Sequence, residues 1–440
     1  MRNRKAGEHV QTILAGIANR ARIDKKHRFG GLYSLLNEEA LRTSFHSLNR
    51  NAAPGVDGVT WAEYETNLDE NLRELTARLK RKAYRARWVR RHYIPKEHGK
   101  RRPLGIPVLE DKIVQHAAKM ILEAIYEAEF YGYSFAYRPE RGARDAVREL
   151  TFRLQFGRFG WVVDADIAGF FDNMNHEWLI RMLNERIADR AFTGLILKWL
   201  KAGVLEELQT VTHPATGTPQ GGVISPVLAN IYLHYVLDLW FQKRVQKEAQ
   251  GASVMMRYAD DFVSAFQRKA DAQRFLEELK ARLGKFGLTL STEKTRLLRF
   301  TRYQIHGGES FSFLGFDFWW GMDRHRRPHV KRRTMRTRVR RGLRELTAWL
   351  RKERHSGLRK VMQSLGRKLL GHWNYYGVHY NSESLWEFYR QAQRIVFKWL
   401  NRRSQRRSYS WDRFKRMWAR HEMSKPRITE PATKRRFAVC

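Results

Sequence analysis

The sequence is most informative at Arg257-Tyr258-Ala259-Asp260-Asp261-Phe262-Val263, where two adjacent aspartates lie between the apolar runs 253–258 and 262–266. Apolar runs of this length on either side of a short polar step predict two strands joined by a tight hairpin. Adjacent like charges repel, so this is a poor place for both carboxylates to ionise unless a cation neutralises them. Because Mg²⁺ prefers oxygen ligands, the pair indicates a metal site at the hairpin tip. A polar turn without a further role is the alternative.

A second acidic strand lies upstream, in Trp161-Val162-Val163-Asp164-Ala165-Asp166-Ile167, and Asp172 follows it. Side chains alternate along a strand, so Asp164 and Asp166 are expected on the same face. If this strand lies beside the hairpin, one of the two approaches Asp260 and completes a site for two metal ions. Such a site activates a 3′-hydroxyl and stabilises the leaving oxygen in an in-line displacement. A strand-end aspartate with no such role is the alternative for each residue.

The charge of the chain indicates a polyanionic partner. Its 84 Lys and Arg residues against 45 Asp and Glu residues give a formal net charge of +39. Release of counterions from phosphates drives the binding of such basic proteins to nucleic acids. The excess charge is spread through segments with folded patterns, which makes attraction to a membrane surface the weaker alternative. A chain of 440 residues is also too long for one compact core, so two or three domains are expected.

Cysteine usage and hydropathy bear on the compartment. The single cysteine, Cys440, is the last residue, so neither a disulfide framework nor a cysteine zinc site is expected. No apolar run approaches the ~20 residues that span a bilayer. The basic start at residues 1–5 is not followed by a continuous apolar region, so a signal peptide is not expected. These features predict a cytoplasmic protein without a membrane partner.

Periodicity predicts helical regions on either side of strand-rich ones. Helices are expected from residue 1 to about 80, broken by the turn-rich loop 51–58. Residues 84–107 alternate basic and apolar side chains around a turn, which predicts a basic hairpin. Past about residue 322 the pattern is helical to about Trp418, which places a domain boundary near 320. The other expected elements are helices at 110–130, 219–247 and 270–286, with strands near 288–300 and 311–319.

Several short blocks occur in the order typical of one protein family. They are residues 51–58, 102–107, 164–172, 218–226, 258–261, 293–295 and 313–316. Together they resemble the group II intron-encoded reverse transcriptases over residues from about 10 to about 428. The resemblance implies an α+β fold, a right-hand polymerase with fingers and a mixed or antiparallel palm sheet, followed by an α-helical thumb or maturase domain. The implied domains are 1–90 (N-terminal helical extension and start of the fingers), 91–320 (fingers and palm), 321–425 (thumb or maturase) and 426–440 (tail).

The resemblance also assigns roles among the acidic residues. Asp166, Asp260 and Asp261 match the metal-binding triad, which implies two Mg²⁺ ions per active site. Ile167 matches a position whose backbone carbonyl faces the metal. Lys294 matches the position proposed as a general acid towards pyrophosphate, and a solvated lysine is its alternative. The remaining acids of this region are then neighbours and not ligands: Asp164 and Asp172.

Residues that bind the incoming nucleotide are implied in the same way. Phe171 matches the position that packs against the sugar, where a bulky ring leaves no volume for a 2′-hydroxyl; an ordinary core aromatic is the alternative. Lys96 and Arg102, in the basic hairpin, match residues that grip the triphosphate of a dNTP. Gln220, in a Pro-Gln-Gly turn, matches a contact to the nucleotide and template pair, with a simple helix start as the alternative.

RNA contacts are implied outside the catalytic region. The segment 371–377 matches the core of the maturase domain, where aromatic rings interleaved with arginines suit RNA. Trp373, Tyr375 and Tyr376 are its candidates, although a place in the thumb core is the stronger expectation for at least one of them. Arg138 is a further candidate, in a fingers motif that departs from the common family pattern by having Ala136 where glycine is usual.

The implied activity is that of an RNA-directed DNA polymerase and maturase. Such a protein binds group II intron RNA, assists splicing, and copies an RNA template from a DNA primer with dNTPs at a target DNA. No HNH-type endonuclease domain is expected after the thumb, because Cys440 cannot supply the cysteine pairs of its structural metal. Two alternatives remain: a domesticated relative in defence, CRISPR adaptation or DNA repair, and a non-catalytic RNA-binding splicing factor.

Overall fold

The computed structural model describes residues 2–95, 101–205, 211–212, 216–218, 221–305, 307–403 and 408–431. Long amphipathic helices occupy both ends of the described chain, and most of the strands lie between them. The helices are α1 (Arg2–Ile23), α2 (Glu38–Ser47), α3 (Trp61–Thr66), α4 (Leu68–Lys80), α5 (Leu109–Tyr126), α6 (Ala143–Phe156), α7 (Phe170–Asn173), α8 (His176–Asn184), α9 (Arg190–Leu200), α10 (Ser225–Leu233), α11 (Gln246–Glu248), α12 (Lys269–Lys285), α13 (Arg336–Glu353), α14 (Leu358–Tyr376), α15 (Ser382–Leu400) and α16 (Trp411–Arg420).

The strands form three sheets. In chain order they are β1 (Val89–Pro95), β2 (Arg101–Ile106), β3 (Trp161–Ala168), β4 (Val204–Leu205), β5 (Val211–Thr212), β6 (Ser253–Tyr258), β7 (Asp261–Phe266), β8 (Thr289–Leu290), β9 (Arg296–Arg299), β10 (Phe311–Phe313), β11 (Phe316–Met322) and β12 (Pro328–Thr334). One sheet has the order β2-β1-β4-β5 and another the order β10-β11-β12. The third has the order β6-β7-β3-β8, with β9 also paired to β3. Sheets and helices together make the α+β fold that the sequence predicts.

The N-terminal helices begin at capping residues. The Asn37 side chain accepts a hydrogen bond from the backbone N–H of Ala40, and Thr60 with Glu63 forms a capping box at the start of α3. The loop 51–58 lies between α2 and α3, as predicted. Its Gly55 approaches the backbone closely, because a Cβ there would lie 2.5 Å from Cα of Val108.

The basic hairpin and the aspartate hairpin both form. Strands β1 and β2 pair antiparallel, with Arg90 opposite Ile106. Strands β6 and β7 are neighbours joined by a turn of two residues, Ala259 and Asp260. Strand β7 lies next to β3, so the two acidic segments are adjacent in one sheet, as the sequence analysis required.

The helix expected at 219–247 starts later and is irregular. Gly221 has φ +114°, which no right-handed helix accommodates, and α10 begins only at Ser225. Two π-helical turns follow at His234–Asp238 and Phe241–Val245, before α11 ends the segment at Glu248. Each π turn inserts extra backbone and rotates the side chains that follow it. Hydrophobic periodicity does not reveal such turns.

A strand also lies where helices were expected to dominate. Strand β12 pairs with β11 along its whole length, and the C-terminal helices start only with α13. Val330, Arg332 and Thr334 are buried while their neighbours are more exposed, so the strand alternates as a half-buried strand should. The strand could not be recognised from hydropathy, because the buried Arg332 counts as a polar residue in such a pattern.

The described chain forms two compact units. The first comprises Met1–Ala146, Ala165–Ser264 and Arg268–Arg296, and the second comprises Val147–Asp164, Ala265–Gln267 and Leu297–Cys440. The apolar faces of α13 to α16 form the main core of the second unit. The assignment of 1–90, 91–320, 321–425 and 426–440 to functional domains stays a prediction. Among the described helices, none is both long and apolar enough to cross a bilayer.

Candidate active site

A buried guanidinium supports the turn that carries Asp260. The preceding residue, Ala259, has φ +57°, a left-handed conformation that costs a non-glycine residue roughly 1 kcal/mol or more. The carbonyl oxygen of Ala259 accepts a hydrogen bond from Nη1 of Arg257 at 3.2 Å. Arg257 is fully buried, and its Nε donates to Oδ1 of Asp238 at 2.8 Å. The unusual backbone of the turn is therefore held by a side chain that is itself fixed.

The same guanidinium connects the hairpin to two other segments. Nη1 of Arg257 donates to Oδ1 of Asn230 at 3.1 Å, and Nη2 donates to Oγ of Ser134 at 2.8 Å. The Asn230 side chain in turn donates to the carbonyl oxygen of Ala136 at 2.6 Å. The segment that contains Ala136 is thus linked through Asn230 to Arg257 in β6, the strand that precedes the aspartates. Ala136 itself, which stands where glycine is usual in the family, is fully buried.

Strand β3 presents Asp166 on its less buried face. Val163, Ala165 and Ile167 are buried, whereas Asp164 and Asp166 are partly exposed, so the predicted alternation is confirmed. The carbonyl oxygen of Asp166 accepts a hydrogen bond from the backbone N–H of Ser291 at 2.8 Å. This contact, with the pairing of β3 and β8, brings the segment 291–295 beside Asp166.

Lys294 lies beside Asp166, within electrostatic range of Asp260 and Asp261. Its Nζ donates to Oδ2 of Asp166 at 2.6 Å. That hydrogen bond, followed by the charges of Asp166, Asp260 and Asp261, raises the pKa of Lys294 above its ordinary value. The charges of all three carboxylates thus act on Lys294, which agrees with the neighbouring positions of β3 and β7 in one sheet.

The donor set around Lys294 suits a hard divalent cation. Three carboxylates supply the oxygen ligands that Mg²⁺ prefers, and an ammonium already satisfies part of their charge. Among the described residues, no three His, Cys, Asp or Glu side chains are spaced as a finished metal-ligand set. The ammonium of Lys294 engages Oδ2 of Asp166, so it competes with a cation for this carboxylate. The oxygen donors of the three aspartates fit Mg²⁺ by their chemistry.

Phe171 lies at a corner built from backbone contacts. Its ring is buried beside that of Phe170, with centroids 5.3 Å apart. Its carbonyl oxygen accepts a hydrogen bond from the N–H of Thr218 at 2.8 Å. A Cβ on Gly217 would lie 2.8 Å from that same oxygen, so only glycine allows the segment 216–218 to approach so closely. Burial is compatible with both the nucleotide-binding role and the core role of Phe171.

Part of the predicted nucleotide site lies outside the described residues. This applies to Lys96, to Gln220 and to the side chain of Arg102, whose backbone lies in β2 opposite Ile94. Gly221, which follows Gln220, approaches β2 so closely that a Cβ would lie 2.8 Å from the oxygen of Gly105. Gly221 therefore lies against strand β2 of the basic hairpin, which the sequence pattern did not indicate.

The candidate RNA contacts are mostly engaged within the protein. The guanidinium of Arg138 is almost fully buried and donates to Glu127 and to the carbonyl oxygens of Tyr131 and Ser134. Trp373 is fully buried and donates to Ser424, which favours the core role that the sequence analysis left open. The partly buried pair Tyr375 and Tyr376 packs on Phe316. RNA contact by Arg138, Trp373, Tyr375 and Tyr376 stays a prediction.

Neither the sequence pattern nor the family resemblance indicates a role for Arg257, Asp238 or Asn230. One signal was available, because Arg257 is a charged residue inside an apolar strand, and a buried charge requires a partner. Its partners could not be identified, since Asp238 and Asn230 lie on a helix whose π turn alters the spacing. The network therefore emerges only from the three-dimensional structure.

The chain is similar in sequence to proteins of a known family. The family model described as reverse transcriptase (RNA-dependent DNA polymerase) matches residues 94–318. The group II intron-encoded protein LtrA of Lactococcus lactis subsp. cremoris is 32% identical in a 367-residue alignment that covers 70% of this chain and 60% of that protein. This chain thus spans about three fifths of that relative.

Two further relatives extend the comparison. Protein YkfC of Escherichia coli (strain K12) is 35% identical in a 309-residue alignment that covers 63% of this chain and 78% of that protein. The protein named nuclear intron maturase 2, mitochondrial, of Arabidopsis thaliana is 29% identical in a 176-residue alignment that covers 31% of this chain and 24% of that protein. The matches to intron-encoded proteins agree with the order of the sequence blocks.

Proposed function

This chain belongs to the reverse transcriptase family, among the group II intron-encoded proteins, and we propose that it is an RNA-directed DNA polymerase and intron maturase. The observation that supports the proposal is that β3 and β7, which carry Asp166 and Asp261, are neighbours in one sheet, with Lys294 hydrogen-bonded to Asp166 beside them. Nucleotidyl transfer develops negative charge on the attacking and leaving oxygens, and clustered carboxylates are the means of holding the cations that neutralise it. The substrates would be a DNA primer on an RNA template and dNTPs.

The triad would hold two Mg²⁺ ions, with the carbonyl oxygen of Ile167 as a further donor. When bound, the ions supply activation of the 3′-hydroxyl and stabilisation of the leaving oxygen. The protein contributes fixed geometry: Asp166 is held on β3, and the turn at Asp260 is held by the buried Arg257. Donors fixed before the substrate binds need no reorganisation during the reaction.

The incoming nucleotide would contact four further positions. Phe171 would exclude a 2′-hydroxyl by its volume, and the backbone contacts at its corner support a fixed ring position. Lys96 and Arg102 would neutralise the triphosphate, and Gln220 would contact the nucleotide and its template partner. Lys294 would hold a proton near the leaving pyrophosphate, and its raised pKa keeps it protonated at neutral pH.

Primer extension on a generic RNA template with dNTPs and Mg²⁺ tests the polymerase. We expect Asp260→Asn to reduce the rate on the order of 100-fold or more, because it removes a charge that the transition state requires. RNA binding should change little, since the net charge of +39 is spread over the chain. Asp172→Asn is the matched control: it makes the same chemical change at an exposed neighbour outside the triad.

The outcomes separate the alternatives. Near-normal extension by Asp260→Asn would reject the assigned site. Wild-type protein that makes no DNA yet binds RNA tightly and in a salt-sensitive manner would favour the non-catalytic splicing factor. Intact synthesis leaves open whether the biological setting is a mobile intron or a domesticated role in defence, CRISPR adaptation or DNA repair.

The maturase part of the proposal concerns group II intron RNA and target DNA. It is supported by the relatives named as intron-encoded protein and intron maturase, and by the basic character of the chain. A splicing assay tests it: a group II intron precursor from the same genomic locus is incubated at a Mg²⁺ concentration too low for self-splicing. We expect the protein to restore splicing, and Asp260→Asn to do so equally. A cytoplasmic location remains part of the proposal.

A further inference from the structure

The second compact unit contains a cavity of about 670 Å³ that shares no residue with the aspartate triad. Helix α6 supplies one wall, with Arg148, Phe152 and Gln155 on a single stripe at helical spacing. Phe156 continues this wall. The rest of the cavity is lined by His329, Arg332, His379, Tyr380 and Glu430. A volume of this size lies in the range of small-ligand and nucleotide sites, which is roughly 300–1,000 Å³.

Hydrogen bonds make the frame of the cavity rigid. Gln155 accepts from the backbone N–H of Val330 at 2.8 Å and donates to the carbonyl oxygen of Pro328 at 3.2 Å, which joins α6 to β12. Arg332 donates to both carboxylate oxygens of Glu430, at 2.9 and 2.7 Å. Glu430 also accepts from the backbone N–H of His379 at 2.9 Å. The walls are thus held together without a ligand, which lowers the cost of binding one.

Flat rings line this frame and are open to solvent. Phe156 is 69% exposed and Tyr380 is 43% exposed, although both are large apolar side chains. The ring of His329 lies 4.6 Å from that of Tyr380, and burial lowers the pKa of His329, so the ring is neutral. Tyr380 has φ +68°, a conformation that a tyrosine adopts only under constraint. Strained residues that hold a side chain outward are typical of binding sites.

The charge at the cavity is positive. Arg148 lines the wall, and Nζ of Lys331 lies 5.7 Å from the centroid of the Tyr380 ring. Of the nearby acids, Glu430 is neutralised by its ion pair with Arg332. The negative charge of Asp323 acts on His329 and Tyr380, and the two cations Arg148 and Lys331 outnumber it. Cations beside exposed rings match a nucleotide, in which a flat base carries a phosphate, better than they match a lipid or an aliphatic peptide.

We propose that this cavity, bounded by Phe156, His329 and Tyr380, binds an unpaired base of single-stranded RNA, with Arg148 and Lys331 beside its phosphates. The base would stack on the exposed rings, and the sequence of the RNA would matter little, since every base has a flat face. The choice of RNA as the polymer rests on the proposed function. The site itself is independent of the catalytic aspartates.

Photocrosslinking with the full chain tests the site directly. A short single-stranded RNA containing 5-iodouridine is bound and irradiated, and the modified peptides are mapped by mass spectrometry. We expect adducts on Phe156, His329 or Tyr380. Uridine monophosphate, added at concentrations at which unlabelled RNA competes, should not reduce these adducts, because it lacks the flanking phosphates.

Two substitutions remove the rings without unfolding the chain. Phe156→Ala changes an exposed side chain, and Tyr380→Asn places at φ +68° a residue that tolerates this conformation. In the double variant we expect the adduct yield at His329 to fall by about tenfold or more, since each lost stacking contact weakens base binding by roughly that factor. Tyr303→Ala, which removes a ring that is 90% exposed in the same unit, should leave the yield unchanged.

Three outcomes would overturn the proposal: adducts that map only to other peptides, an unchanged yield at His329 in the double variant, or equal competition by uridine monophosphate. The last would make a free nucleotide the ligand instead. Asp260→Asn should retain the adducts while it loses DNA synthesis. A wild-type chain that crosslinks here but makes no DNA would defeat the polymerase proposal alone, so the two failures are distinguishable.

Discussion

Asp238 and Arg257 form a fully buried, two-point ion pair, in which Oδ1 accepts from Nε at 2.8 Å and Oδ2 accepts from Nη2 at 2.5 Å. Burial of two charges costs as much free energy as their attraction returns, so the pair is weak evidence for net stability. Its remaining donor, Nη1, contacts the carbonyl oxygen of Ala259 in the turn before Asp260. The pair therefore helps to hold the turn that carries Asp260.

Removal of one partner should destabilise the fold strongly. Arg257→Met leaves the charge of Asp238 buried without its partner, and we expect the free energy of unfolding in urea to fall by about 3–5 kcal/mol. Arg244→Met is the control, because Arg244 is 57% exposed and pairs with Glu248 and Glu278 at the surface. We expect that change to cost less than about 1 kcal/mol.

Removal of both partners should separate stability from activity. The double variant Arg257→Met with Asp238→Leu leaves no unpaired charge, and we expect it to regain most of the lost stability. Primer extension should stay impaired, because the carbonyl oxygen of Ala259 still lacks its donor. A double variant that recovers both stability and DNA synthesis would show that the pair is purely structural.

Lys294 and divalent metal should compete for Asp166. The ammonium donates to Oδ2 of Asp166 at 2.6 Å, so it occupies one of the two oxygens that a metal ion could use, and its charge repels the ion. Lys294→Met removes this competitor, and we expect half-maximal primer extension at a lower Mg²⁺ concentration, with a lower maximal rate because a proton donor is lost. Lys280→Met, an exposed lysine of α12, makes the same charge change elsewhere. An unchanged or higher Mg²⁺ requirement in Lys294→Met would contradict the competition.

Gly217 should be required for the corner at Phe171. A Cβ there would lie 2.7 Å from the carbonyl oxygen of Asp172, and the residue has φ +88°, so Gly217→Ala must displace backbone. We expect it to destabilise the fold by roughly 1–3 kcal/mol and to reduce dNTP incorporation. Gly194→Ala should act in the opposite direction, because that helical glycine has nothing within 4 Å of its added Cβ. An alanine in a helix gains about 0.5–1 kcal/mol over glycine. Equal effects of the two changes would refute the steric argument.

The elements that position the aspartates could be predicted because their signals are local. Apolar alternation in 161–167 and the two runs around Asp260 specify strands regardless of the rest of the chain. The signal for the turn is also local, since only Ala259 and Asp260 separate the two strands. The neighbouring positions of β3 and β7 did not follow from periodicity; they were an assumption that the sheet order confirms.

Features that depend on distant contacts could not be predicted. Asp238 and Arg257 are 19 residues apart, and a π turn directs the aspartate inward. The strand β12 was missed because its buried Arg332 counts as polar, while its partner Glu430 lies 98 residues away in sequence. Residues fixed by long-range pairs carry no periodic signal, and Arg332 and Glu430, which line the cavity beside β12, form such a pair.

The ion pair of Arg332 and Glu430 should make stability depend on pH. Burial alone raises the pKa of Glu430, but the hydrogen bonds and charge of Arg332 outweigh it and hold this pKa below its ordinary 4.5. The pair therefore stabilises the fold fully above pH 4.5, and this contribution is lost as the pH falls through the lowered pKa of Glu430.

Glu430→Gln should reduce the free energy of unfolding by about 3 kcal/mol at neutral pH, and the difference from wild type should shrink well below pH 4.5. Glu345→Gln, which breaks an exposed pair with Arg341, should cost less than about 1 kcal/mol. Urea unfolding of the three proteins across this range is the measurement, and a difference that persists in acid would mean that Glu430 acts through packing instead of its charge.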